Sequence, residues 1–162
     1  MPGPVTPPPP EPPGPSAIEA FTQSIQGLSL DDFYRVSYRE LLTRSPESIV
    51  AQTLDNSFPL DGVELDTLTD DYQRDTFEMH RIALDTLRSY DRDTLTPAEQ
   101  LDYDVYAWHL TDVAENVDYF YYDFAATYGI FGVPRSTELF FTDIHPVATL
   151  ADAENYITRL SL

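Results

Sequence analysis

Apolar residues recur at intervals of three and four along nearly the whole chain beyond residue 16, and that period commits it to helices. The plainest stretch begins at Thr96-Pro97-Ala98-Glu99, with a Thr cap, Pro at the first helical position and Glu at the third. Tyr103, Tyr106, Leu110, Val113, Val117, Phe120 and Phe124 then form one stripe, and Leu101, Val105 and Trp108 form a second. A helix apolar on two flanks is expected to lie between neighbours. Burial of Trp108 in particular is the expectation.

Other helices follow from the same signals. Ser16 can cap a short one carrying Ile18, Phe21 and Ile25, closed by Gly27. Ser29 starts the next, with Asp31 and Asp32 in its first turn and Leu30, Phe33, Leu41 and Leu42 pointing inward. Ser45-Pro46-Glu47 restarts a helix. A polar loop runs from Asn56 to Asp66 with Pro59 and Gly62. A long helix from about Leu68 to Tyr90 presents Leu68, Tyr72, Met79, Ala83, Leu87 and Tyr90 to the core. From Tyr128 to Pro146 the period breaks around Gly129, Gly132, Pro134 and Pro146, which fits a long loop or a short strand pair, the packed loop being the favoured reading. The fold class expected is all-α, a multi-helix array with no internal repeat of solenoid length.

The last helix opens at Thr149 with Asp152 as a short capping-box partner. Its stripe of Leu150, Ala153, Ile157 and Leu160 still runs where the sequence reaches Leu162, with no Gly, Asn or Pro to close it. The expectation is an incomplete helical domain over 17–162, the amino-terminal portion of a larger protein. The stripe is then short of its neighbours, and the chain alone should self-associate. Residues 1–16 hold nine of the 14 prolines and form a disordered, polyproline-like linker. With no Arg or Lys beside Pro7 to Pro13 to orient an SH3-type ligand, a stiff spacer is the reading. Such an arm suits the stretch just after a cleaved export signal, which suggests an extracytoplasmic protein.

The net charge is -19, and all nine basic residues are Arg. So acidic a surface repels phosphate backbones and anionic headgroups, which argues against nucleic acid and membrane surfaces as partners. No apolar run nears the ~20 residues of a membrane span, so membrane insertion is not expected. There is no cysteine, hence no disulfide or thiolate chemistry within these residues.

Catalytic residues do not emerge. None of His80, His109 and His145 begins a His-Glu pair, and no two stand four apart. His109 and Asp112 have metal-compatible spacing, but a surface or half-buried histidine explains such a pair better. Asp61, Glu64, Asp66, Asp70 and Asp71 lack the EF-hand order and read as a solvated acidic loop. The run Tyr119, Phe120, Tyr121, Tyr122, Phe124 could line a cleft, although core packing is the weightier reading. No catalytic, cofactor-binding or metal-ligating residue is assigned.

Four stretches carry a resemblance. They are Asp31-Asp32-Phe33 through Arg44-Ser45-Pro46-Glu47, then Leu95 to Asp104, Ile144-His145-Pro146, and Asp152 to Leu160. In order and spacing they resemble the amino-terminal part of a bacterial family labelled domain of unknown function 885. Its members are mostly helical, often exported or lipid-anchored, and similar to gluzincin zinc peptidases. The family's zinc motif, a His-Glu pair followed shortly by Pro-Gly-His, lies downstream of the matched region and is absent from this sequence. The resemblance therefore implies a non-catalytic piece that walls or covers a substrate cleft. Its partners would be the remainder of its own polypeptide and a peptide substrate, with no cofactor in this chain and zinc in the downstream portion. The alternative is a non-catalytic helical binding or structural module of an extracytoplasmic protein.

Overall fold

The computed structural model describes residues 14–54, 57, 63–123 and 132–162. Most of the expected proline arm, Asn56 and residues 58–62 of the expected loop, Phe124, and the stretch from Tyr128 to Phe131 lie outside them. Among the described residues there is no strand, and the protein is all-α.

Four helices build the main core: α1 (Ala17–Ile25), α2 (Leu30–Leu42), α4 (Asp70–Leu87) and α5 (Pro97–Glu115). Each of α1, α2 and α5 starts at the expected cap. Ser16 and Thr96 form complete capping boxes with Glu19 and Glu99, and the Ser29 hydroxyl accepts the Asp32 N–H. Gly27 takes φ +68 between α1 and α2, a conformation that favours glycine. Phe21, Ile25, Phe33, Leu41, Met79, Ala83, Leu87 and Leu110 meet in one cluster. Polar side chains tie the same helices. The Tyr106 hydroxyl meets Ser37 Oγ at 2.9 Å, Ser37 Oγ donates to the Phe33 carbonyl, and Tyr90 donates to the Leu28 carbonyl.

A smaller layer packs beside this core, made of α3 (Pro46–Ala51), α7 (Val133–Leu139), α8 (Leu150–Arg159) and a π-helical turn Phe140–Ile144. Pro46, Ile49, Val50 and Phe140 are buried there. The segment read as a packed loop is thus helical from Val133 onward. Pro134 sits in the first turn of α7, where it costs no hydrogen bond. The wide turn is closed by His145 N–H on the Phe140 carbonyl at 2.7 Å.

Two expectations about helix faces are overturned. The helix from Thr96 gives way at Asn116–Tyr119 to a 3-10 turn and then to the short α6 (Phe120–Asp123). Along α5 only Tyr103 and Leu110 are fully buried, while Leu101, Val105 and Trp108 face outward, Trp108 with 68% of its surface exposed. Val105 follows Tyr103 by two residues, about 200° round the helix, so neighbours on one side leave the second stripe bare. Trp108→Ala should therefore change stability by less than about 0.5 kcal/mol, the usual scale for surface positions. Urea unfolding of the two proteins is the check, and a loss of several kcal/mol would put the indole back in the core.

The tyrosines of the aromatic run likewise are not core, while Phe120 is half-buried against Phe77. Tyr119, Tyr121 and Tyr122 are exposed, and Tyr121 is held at the surface by donating to Asp70 at 2.7 Å.

Candidate functional site

The end of α2, the start of α3, the first half of α4 and the middle of α5 enclose a cavity of about 510 Å³. Its centre is Arg44. The guanidinium lies over the Tyr72 ring at 3.4 Å from the centroid, an arrangement that favours a cation on the aromatic face. Arg44 Nε donates to Thr76 Oγ1 at 2.9 Å and Nη2 to the Tyr72 carbonyl at 2.6 Å. The Tyr72 hydroxyl returns a bond to the Arg44 carbonyl. Among the described residues no carboxylate pairs with Arg44, unlike the surface arginines Arg35, Arg81, Arg92 and Arg135. Burial lowers its pKa from the ordinary value, opposed by Tyr72 and Asp75.

α3 restarts at Pro46 as expected, with Ser45 before it. The Ser45 hydroxyl does not cap α3 but donates to Asp66 Oδ2 at 2.7 Å, and Asp66 Oδ1 accepts the Glu47 N–H at 2.9 Å. The Glu47 carboxylate answers by accepting the Asp66 N–H. Asp66, expected in a solvated acidic loop, is thus a tether that closes the cavity floor and caps α3 from a distance.

Two of the three histidines, His80 and His145, are buried, while His109 lies at the surface as expected. His80 is buried on α4 against the cavity, with Nδ1–H donating to the Thr76 carbonyl at 2.7 Å. His109 is exposed, stacks on Tyr106, and stands edge-on to His80 at 6.1 Å between ring centroids. His145 is buried elsewhere, in the small layer. Its Nδ1–H points to the Pro146 carbonyl, and its Nε2 accepts from Arg159. The His109–Asp112 pair gains no third donor, since among the described residues no three His, Cys, Asp or Glu side chains converge. The described side chains therefore do not by themselves assemble a three-ligand zinc site.

Burial lowers the pKa of His80, its bond to Thr76 and the neighbouring charges being lesser influences. The unfolded chain then takes up a proton near the ordinary pKa of 6.5 while the folded chain does not. Stability is complete above that pH and falls as pH drops from it toward the folded value. Melting curves between about pH 7.5 and 5.5 should show this slope, and His80→Asn should flatten it. Equal slopes in both proteins would mean that His80 titrates normally.

Sharing Tyr38, Tyr106 and His109 with the Arg44 cavity, an open groove of about 770 Å³ between α2 and α5 is also lined by Tyr34, Leu101 and Val105. The Tyr34 hydroxyl is buried there without a hydrogen-bond partner among the described residues, and burial raises its pKa to about 12.

A third exposed surface lies on α8. Its cap forms as expected, with Thr149 and Asp152 in a full capping box. Its buried side, however, is polar. Arg159 is only 5% exposed and donates from Nε to the Glu64 carbonyl at 3.1 Å. Tyr156 meets Phe141 and His145 edge-on. Leu150, Ile157 and Leu160 consequently point outward. Helical spacing marks Asp152, Tyr156 and Arg159 as a face, but nothing in the sequence ranks that face above the apolar one.

The chain matches no protein-family model, no curated protein and no solved structure.

Proposed function

We propose that this chain is the non-catalytic amino-terminal helical portion of an exported, zinc-dependent peptidase-like hydrolase. In this reading it walls or covers the substrate cleft and packs against the remainder of its own polypeptide. The supporting observation is the pair of bare apolar faces, Leu101, Val105 and Trp108 on α5 and Leu150, Ile157 and Leu160 on α8. Single exposed hydrophobes are ordinary, whereas rows at helical spacing on one face suit burial against further protein. Any zinc would be held by residues other than those described, in keeping with the resemblance that places the family's metal motif downstream.

The test reads the gene past Leu162 and expresses the longer polypeptide. A His-Glu motif in that frame, stoichiometric zinc and peptidase activity in the longer protein but not in the chain alone are expected. The chain has no cysteine, so Val105→Cys reports the α5 face by maleimide labelling read at the peptide level. Labelling should be fast in the chain and at least about tenfold slower in the longer protein. A stop codon directly after Leu162 in an intact gene, or turnover by the chain alone that is lost on mutating its histidines, would overturn the proposal.

A further inference from the structure

Arg44 is a half-buried cation that no carboxylate among the described residues meets in an ion pair, Asp75 acting on it only from a distance. Its Nε and Nη2 are engaged by Thr76 and by the Tyr72 carbonyl, and Nη1 has no hydrogen-bond partner among the described residues. Withdrawing a guanidinium from water is costly unless an anion replaces the lost solvation. The Tyr72 ring covers only one face of the guanidinium. The space beside it, about 510 Å³, lies within the range of small-molecule sites. Leu41, Leu42 and Tyr106 make part of its wall apolar, while Ser48, Thr76 and His80 bring polar groups.

We propose that the Arg44 cavity binds a small molecule bearing one carboxylate on an apolar body, with the carboxylate on the Arg44 guanidinium. This inference does not depend on the peptidase reading, because it rests on α2, α3, α4 and α5 of this chain alone. The planar fork of Arg suits a carboxylate. A phosphate dianion is disfavoured by the same walls. Arg44 is the only arginine lining the cavity, and the Asp66 carboxylate also lines it. His80 is held toward its neutral form by burial and so contributes little positive charge there.

The probe is N-acetyl-leucine, titrated into the 162-residue chain by calorimetry and by amide NMR shifts. N-acetyl-leucinamide is the neutral control, and inorganic phosphate is the competing anion. The acid should bind saturably at one site, at least about tenfold tighter than the amide, with shifts centred on Arg44, Tyr72 and Thr76. Arg44→Lys, which keeps the charge but loses the fork, should weaken binding by about tenfold or more. Because Arg44 also ties α2 to α4, a second variant is needed. Gln52 lines the cavity from an exposed position, so Gln52→Trp should fill the mouth and abolish binding with the melting temperature unchanged. No binding of the acid up to about 10 mM would sink the proposal. So would equal affinity for acid and amide, or undiminished binding in a folded Arg44→Lys or Gln52→Trp protein. Phosphate binding tighter than the acid would overturn the carboxylate assignment.

Discussion

Phe33→Ala should destabilise the fold by about 3–5 kcal/mol, the range for truncating a buried aromatic in a packed core. Phe33 is fully buried on α2, with Tyr90 5.6 Å and Tyr106 6.1 Å away between ring centroids. The vacated space cannot close easily. Tyr106 is held by Ser37 and Tyr90 by the Leu28 carbonyl, so neither ring can move inward without breaking a bond. A typical domain has about 5–15 kcal/mol in all, so this variant should lose a large share of its stability. Urea titration followed by circular dichroism gives the number. A loss under about 1.5 kcal/mol would show that α2 does not anchor the core.

Arg159→Met should release α8 while the four-helix core stays folded. Methionine keeps the apolar stem but removes the donors that reach the Glu64 carbonyl and His145 Nε2. Each buried acceptor left unpaired costs about 1–3 kcal/mol. Outside these bonds and the Tyr156 ring contacts, α8 offers the rest of the protein little apolar surface, since Leu150, Ile157 and Leu160 face away. Hydrogen exchange should therefore accelerate across residues 150–160 and remain slow in α4 and α5. The substitution leaving α8 as protected as before, or loosening the core equally, would remove Arg159 from its role as the strut.

These two variants separate what was legible in the chain from what was not. Ser16, Ser29, Thr96 and Thr149 announce helix starts because capping is a contact between residues three apart, and all four cap as read. The α2 core face, Phe33 and Leu41, follows from spacing for the same local reason. Helical stretches interrupted by proline are harder. Pro134 and the π-helical turn made α7 look like a loop, although Pro in a first turn is compatible with helix.

The candidate site was hidden for a different reason. Arg44 meets Thr76, Ser45 meets Asp66, and Arg159 meets the Glu64 carbonyl across separations of 32, 21 and 95 residues. No spacing rule joins positions so far apart, and in a chain with 28 acidic residues the tethering Asp66 looks like any other.

The starts of α1, α2, α5 and α8 and their caps were thus determined by the sequence, through contacts within a turn or two. Which face of α5 and α8 is inside was decided only by the tertiary structure. Apolar spacing records that a face can be buried, and burial requires a neighbour. On α5 the stripe with Tyr103 and Leu110 found α4, whereas Trp108 found none among the described residues. On α8 the hydrogen bonds of Arg159 hold the polar face inward and turn the leucines out.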